Sequence, residues 1–296
     1  LRPLALLVID LDGTLLQRSG GISPTNLVAL ERARDAGFEI VLATGRSWKE
    51  SRRAIEATEH DGLLIGAGGS AINRAVDGAT LHHTTLDAEI VADCARLLLD
   101  HGHRAMLLKD HHACDHDYCL VGGHALDSAS HWWFEEHDLV RVEVACPDDA
   151  HRRALTERTL RIGSVAHAER LTRCADEIRR RHGPRVHAQQ WGALTATETI
   201  GSTTHLLEVF AHGVDKWSAV EWICAERGVD PERVVAVGDG LNDVGMVSHA
   251  GLGVAMGNAI DAVRDAADVV VAPFDRDGVA EAVDLALARF GAGAAR

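Results

Sequence analysis

VIDLDGTLL, residues 8–16, ends an apolar run in two carboxylates one residue apart, Asp10 and Asp12, followed by Gly13 and Thr14. The run behind them, LALLVID (4–10), has the unbroken apolar character of a strand buried on both faces. Asp-Gly is also an ordinary turn where a strand reaches solvent. A calcium loop is excluded by spacing, because the EF-hand needs its glycine at position six and Gly13 stands fourth. What the rest of the chain delivers beside these acids decides between turn and site.

Outward from this stretch, apolar runs alternate with helical patterns. SPTNLVALERARDAG (23–37) reads as an amphipathic helix that starts at Ser23-Pro24 and stops at Gly37. FEIVLAT (38–44) and GLLIGAG (62–68) read as strands, with a helix from Trp48 to Ala57 between them. The last third repeats the alternation: helix 215–228, strands VVAVGD (234–239), AGLGVAMG (250–257) and DVVVAP (268–273), then a closing helix 279–290. Continuous apolar strands alternating with helices predict an α/β fold with a parallel sheet covered on both faces.

The middle differs. From Leu86 to Ala211 the chain is rich in His and Arg, and RAMLLKD, YCLVG, VRVEVAC, RVHAQQW and HLLEVF alternate apolar with polar. That pattern predicts antiparallel strands with one face exposed, in an α+β module inserted into the α/β domain. The boundaries read as 1–84 with 212–296 for the outer domain and 85–211 for the insertion.

The 296 residues carry 30 Lys plus Arg against 44 Asp plus Glu, a formal net charge of −14. Such an excess disfavours nonspecific nucleic-acid binding and attraction to anionic membranes. LALLVI is too short for a membrane span and lacks the flanks of a signal peptide. The six cysteines show no paired spacing and read as reduced thiols, so the expected location is the cytoplasm.

In an open parallel sheet, ligands bind beyond the carboxyl ends of the strands. The first strand delivers Asp10-Leu11-Asp12-Gly13-Thr14 there, the second Thr44-Gly45-Arg46, and VVAVGD delivers Gly238-Asp239-Gly240-Leu241-Asn242-Asp243. Lys216 opens the helix before that strand. Asp10, Asp12, Asp239 and Asp243 could not crowd together without a compensating cation. An all-oxygen site suits Mg²⁺. A threonine hydroxyl, an ammonium and exposed backbone N–H groups suit a phosphate. Metal, phosphate and a spare carboxylate together describe phosphoryl transfer to an aspartate.

DLDGT, ATGR, the lone Lys and GDGLND, in this order, resemble the four motifs of the haloacid dehalogenase (HAD) superfamily. MGNAIDAVRDAADVVVAPFDRDGVAEAV resembles its Cof-like hydrolases, the branch with a large α/β cap of C2B type inserted after the second motif. The resemblance covers 1–84 and 212–296 well, and the insertion in element order alone. It implies a Rossmann-like core. Asp10 is then the nucleophile that forms an aspartyl-phosphate, and Asp12 the group that protonates the leaving oxygen and deprotonates the attacking water. Asp10, the Asp12 carbonyl and Asp239 hold Mg²⁺, with Asp243 acting through water or from behind. Thr44, Gly45, Lys216 and Asn242 bind the phosphoryl group. An aspartate at position 12 suits hydrolysis of a phosphate ester over dehalogenation. The implied partner is a small phosphorylated metabolite, with sugar phosphates the family-level expectation. Two other readings share these aspartates: a phosphosugar mutase, and a phospho-aspartate signalling receiver, which is a much shorter domain without Asp12's role.

Four other features compete for a role. HHACDHDYC (111–119) fits no standard zinc spacing and reads as a turn between two strands of the insertion. Trp132 and Trp133, adjacent in a helix, point to different faces, so at least one is expected in the core. GLGVAMG (251–257) has the wrong spacing for a dinucleotide fingerprint. Arg46 is expected to order the second motif through hydrogen bonds. Relatives often carry Asn-Gly-Ala where this chain has Gly68-Gly69-Ser70, a departure expected to bear on loop shape or substrate.

Overall fold

The computed structural model describes residues 3–18, 20–147, 155–192 and 203–291. Two compact units emerge, Leu1–Leu81 together with Asp215–Arg296, and the inserted His82–Val214. Ahead of the insertion run β1 (Ala5–Asp10), α1 (Pro24–Asp35), β2 (Phe38–Ala43), α2 (Arg52–Ala57), β3 (Leu63–Gly66), β4 (Ala71–Arg74) and β5 (Thr80–His83). Next come α3 (Ala88–Asp100), β6 (Ala105–Lys109), β7 (Tyr118–Val121), α4 (Ser128–Glu136), β8 (Arg141–Val144), β9 (Thr159–His167), α5 (Ala168–His182), β10 (Val186–Gly192) and β11 (Thr204–Ala211). The chain closes with α6 (Lys216–Arg227), β12 (Val234–Gly238), α7 (Val244–His249), β13 (Leu252–Ala255), α8 (Asp261–Ala266), β14 (Val269–Val270) and α9 (Gly278–Phe290).

The larger sheet has the order β14-β13-β12-β1-β2-β3-β4-β5 and is parallel from β14 to β3. Those six strands are the six apolar runs of the outer domain. Their continuous hydrophobicity follows from burial on both faces. Leu7 and Ile9 of β1 pack with Leu30 of α1 and Val283 of α9, and Leu6 and Val8 pack with Ile223 of α6 and Val247 of α7. Each such side chain contributes roughly 1.5–3 kcal/mol when fully buried. Direction along the sheet reverses at β1, which has β2 on one side and β12 on the other. That switch point opens a crevice at the carboxyl ends of β1 and β12.

Local chemistry places the helices. Ser23 caps α1 by accepting the Asn26 N–H at 3.1 Å, with Pro24 in the first turn. A reciprocal cap between Asp215 and Ser218 starts α6, and Gly228 in the left-handed region ends it. The third strand is shorter than its apolar run. It ends at Gly66, and the chain doubles back into β4 antiparallel to β3. β4 leads into β5 through a turn at Asp77-Gly78, closed by Arg74 N–H to Ala79 O at 2.9 Å. Asp-Gly was the available signal for this hairpin.

Gly69 has a steric role. Gly69 sits at φ 109°, and a Cβ there would fall on the Asp215 carbonyl and within 3.0 Å of the Lys216 N. Gly69 is the residue this chain shares with Asn-Gly-Ala, and its bare backbone lets the start of α6 approach; the departure itself lies at Gly68 and Ser70 on either side.

The insertion builds its own sheet, ordered β10-β11-β9-β6-β7-β8. One face is covered by α3 and α5, where Leu98 and Ile178 pack against Leu107, Ile162 and Leu207. One expectation is corrected here, and one strand lies outside the alternating segments singled out in the sequence. β7 and β8 pair in parallel, because α4 carries the chain back across before β8 begins. The central strand β9, TLRIGSVAH, shows no clean alternation. Its Arg161 is buried against Glu208 and donates to the Tyr118 hydroxyl at 3.0 Å, and at Gly163 a Cβ would fall on the Leu207 carbonyl. Packing demands at the sheet centre override the two-residue pattern. On α4 both tryptophans are half-buried, and the core anchor is Phe134, edge-on to Tyr118 with centroids 5.1 Å apart. Among the described residues no helix is long and apolar enough to cross a membrane.

Gly69→Ala is expected to destabilise the protein by about 1–3 kcal/mol, the cost of a non-glycine residue in that backbone region. A lowered denaturant midpoint with an unchanged slope is the measurement; a neutral result removes the steric role given to Gly69.

Candidate active site

β1 ends at Asp10, and β12 ends at Gly238, one residue before Asp239, so the switch point itself presents both acids. The register pairs Asp10 with Ala43, which sets Thr44 one residue beyond on the neighbouring strand. Lys216, at the first position of α6, is fully buried, and its Nζ donates to Asp10 Oδ1 and to Asp243 Oδ1, each at 2.6 Å. The other Asp243 oxygen accepts the N–H groups of Asp239 at 3.0 Å and Gly240 at 2.9 Å, which fixes the GDGLND loop. Gly238 and Gly13 make room for these acids. A Cβ at Gly238 would lie 2.5 Å from Asp243 Cβ, and one at Gly13, whose φ is 81°, would collide with the Asp239 carboxylate.

Asp10, Asp239 and Asp243 each bring an oxygen within 4.8 Å of the others. Three carboxylates against one ammonium leave an excess of two negative charges in a largely buried place. Burial, then the charge of Asp243, holds the Asp10 carboxyl well above its ordinary value, with Lys216 opposing. For Asp239, burial and again Asp243 push the carboxyl up to about 7. The Lys216 ammonium is penalised by burial, but Asp10 and Asp243 outweigh that and hold it above its ordinary value. An oxygen-only cluster with an uncompensated double negative charge fits a hard divalent cation.

Asp12 is engaged elsewhere. Its two oxygens accept a fork from Arg46, Nε at 2.7 Å and the second contact through Nη2. Arg46 also donates to the Glu50 carbonyl at 3.4 Å, and the buried Glu50 carboxylate accepts the Ser47 N–H at 2.6 Å. Arg46 thus does more than order its own motif. Thr44 is buried, with Oγ1 accepting the Arg46 N–H at 3.1 Å, and Asn242 Nδ2 would lie 3.8 Å from a Cβ on Gly45. The eight residues singled out in the sequence all lie in the larger unit.

Two further side chains belong to this constellation. Thr14 Oγ1 donates to Asp239 Oδ1 at 3.2 Å, and Asn258 Nδ2 donates to Asp239 Oδ2 at 3.1 Å and to the Gly13 carbonyl at 2.8 Å. Asn258 follows the carboxyl end of β13, so extending the strand-end rule to that strand would have found it. The HHACDHDYC stretch is a self-bonded turn. His112 N–H bonds Asp110 at 3.1 Å, His111 pairs with Asp117 at 2.7 Å, and Asp117 accepts the Val140 N–H at 2.7 Å.

The profile of the haloacid dehalogenase-like hydrolases matches residues 7–283. The chain belongs to this family. Among its HAD relatives, 5-amino-6-(5-phospho-D-ribitylamino)uracil phosphatase YitU of Bacillus subtilis is 27% identical over 93% of this chain and 94% of its own. Pyridoxal phosphate phosphatase YbhA of Escherichia coli is 26% identical over 93% and 96%. A solved HAD subclass IIB sugar phosphatase shares the fold, at 22% identity and a TM-score of 0.75, over 95% of this chain and 98% of that one. The protein is a phosphatase of the HAD family, of the Cof-like type with an inserted cap.

The raised Asp239 carboxyl gives a pH signature. A group whose folded value lies above its unfolded value stabilises most at low pH and loses that contribution as pH rises through the folded value. Metal-free protein is therefore expected to lose stability between about pH 4 and about pH 7, and a divalent cation should flatten the decline. Thermal melts across this range, with EDTA and with added Mg²⁺, read it; a metal-independent profile is the contrary result.

Arg46→Met is expected to free Asp12 while leaving the Asp10–Lys216–Asp243 contacts in place. Turnover of alkyl phosphates should fall at least about tenfold further than turnover of p-nitrophenyl phosphate, whose leaving group needs little protonation. Equal losses on both would detach Arg46 from the proton-transfer step.

Proposed function

We propose that this protein is a Mg²⁺-dependent phosphomonoesterase that works through an aspartyl-phosphate on Asp10. The observation that carries the reading is the buried Lys216 bridging Asp10 and Asp243 beside Asp239, with a second carboxylate, Asp12, held two residues away from the nucleophile. Asp10, the Asp12 carbonyl and Asp239 would hold the cation, with Asp243 behind them. The bound cation supplies charge neutralisation for the nucleophile and the phosphoryl oxygens.

The protein's own groups carry the remaining work. Asp10 attacks phosphorus, and the ester oxygen leaves with a proton from Asp12. Asp12, now a carboxylate, takes a proton from the water that cleaves the aspartyl-phosphate and returns Asp10. Lys216 orients the nucleophile and opposes the burial that raises its carboxyl, and with Thr44, the Gly45 backbone and Asn242 it neutralises and positions the phosphoryl oxygens. Arg46 orients Asp12 when it is a carboxylate, and the two-oxygen fork must give up one contact when Asp12 carries the proton.

A small phosphorylated metabolite is the substrate class we infer. The named relatives act on a phosphoribityl compound and on pyridoxal phosphate, both phosphoesters of primary alcohols. Sugar and polyol phosphates belong to the same chemical class. We assign chemistry to the larger unit, which holds every residue named above, and substrate choice to the insertion. The six free thiols fit a reducing compartment, the cytoplasm. A phosphosugar mutase on the same aspartates would need an activating bisphosphate and would release no inorganic phosphate.

A phosphate-release screen over primary-alcohol phosphoesters, with Mg²⁺ and without bisphosphate, separates hydrolase from mutase. Rapid-quench labelling with a ³²P-aryl ester tests the roles. Asp10→Asn should capture no label, and Asp12→Asn should accumulate a labelled enzyme while losing about 10²–10⁴-fold in turnover of alkyl esters. Label on Asp10→Asn, or wild-type turnover of alkyl esters by Asp12→Asn, would sink the assignment.

A further inference from the structure

Asp239 is held differently from the other two acids of the cluster. Lys216 pairs with Asp10 and Asp243, whereas Asp239 makes no ion pair among the described residues. Neutral donors hold it instead, the Thr14 hydroxyl on Oδ1 at 3.2 Å and the Asn258 amide on Oδ2 at 3.1 Å. A carboxylate offers roughly four acceptor positions, so two neutral donors orient it and leave its charge and its remaining lone pairs for another ligand.

Thr14 is buried, but Asn258 is exposed, and an exposed amide keeps one orientation only when several partners fix it. Asn258 has those partners. The Met256 N–H donates to the Gly238 carbonyl and the Ile260 N–H to the Asp239 carbonyl, each at 3.0 Å, so the chain is bonded to the end of β12 on both sides of Asn258. The Phe274 N–H donates to Asn258 Oδ1 at 3.0 Å. A backbone N–H can only donate, so this contact assigns the amide oxygen to its side and turns the NH₂ group toward the Gly13 carbonyl, at 2.8 Å, and Asp239. Both of those partners are acceptors. Each amide hydrogen has one taker, and a flipped amide would lose all three contacts. Gly257 permits the arrangement. A Cβ there would lie 2.9 Å from the Pro273 nitrogen and the Val271 carbonyl, so its bare backbone lets the turn that carries Phe274 come close.

We infer that Asn258 is a positioning residue for the divalent cation. It acts through Asp239, whose carboxylate it holds preset for the ion, and through the Gly13 carbonyl it ties that carboxylate to the loop that follows Asp10 and Asp12. An Asp239 side chain without this anchor would have to be ordered each time an ion binds, at the expense of affinity. The inference rests on the cation reading of the rim and adds to it a residue outside the DLDGT, ATGR, Lys and GDGLND segments. The same contacts would also serve a simple loop staple, and affinity for the ion separates the two roles.

Mn²⁺ binding to the full chain, read from the electron paramagnetic resonance of the unbound ion, tests this without any substrate. Wild type is expected to bind one Mn²⁺ per chain, and Asp239→Asn to lose it. Asn258→Ala removes donors and bulk, whereas Asn258→Leu removes the donors and keeps the bulk; each should weaken Mn²⁺ binding by about 10–100-fold. The Mg²⁺ concentration for half-maximal phosphate release should rise by the same factor. Cooperative unfolding in EDTA establishes that both variants are folded. Wild-type Mn²⁺ affinity in either variant, or failure of both to fold, would identify a loop staple and overturn the inference while leaving the cation reading intact. No Mn²⁺ bound by wild type, or unchanged binding in Asp239→Asn, would instead overturn the cation reading and the inference with it.

Discussion

A buried ammonium between two buried carboxylates is the contact on which the larger unit depends. Lys216 reaches Asp10 and Asp243 across separations of 206 and 27 positions, and no solvent touches it. Removing one partner from such a pair costs about 3–5 kcal/mol, because the remaining charge stays buried. The arrangement holds because the end of β1, the start of α6 and the loop after β12 meet at one point. Small residues make the meeting possible. Gly69 clears the path for the start of α6, Gly238 for Asp243, and Gly13 for Asp239.

The same contact leaves the site short of positive charge by design of its composition. One ammonium faces three carboxylates, and the burial that strengthens each ion pair also raises the Asp10 and Asp239 carboxyls. A divalent cation would resolve this imbalance, which no further side chain named here does, since Arg46 is committed to Asp12. Stability and chemistry are thereby linked. The charge that makes the rim costly is the charge that would draw a divalent cation to it.

The insertion solves a different problem. Its sheet has helices α3 and α5 over one face, and its central strand carries polar groups, Arg161 and Ser164 among them, that a two-residue pattern does not anticipate. Buried polar groups there are mostly satisfied: Arg161 by Glu208 and Tyr118, and Lys109 by two carbonyls and the Thr159 hydroxyl at 2.8–3.0 Å.

The sequence by itself determined the six parallel strands, the helix starts at Ser23 and Asp215, and the acids and lysine delivered to one rim. Local signals suffice for these, because strand burial, capping and strand-end position are each written within a few residues. Only the tertiary structure decided which partner each side chain takes. Arg46 could have faced a ligand and instead holds Asp12, and Asn258 joins Asp239 from a strand end that carries no acid. β7 and β8 run parallel because a helix intervenes, and β9 sits at the centre of its sheet despite a broken pattern. Such outcomes depend on contacts between residues distant in the chain, whose energies come from packing and charge balance in three dimensions and leave no periodic trace in the order of amino acids.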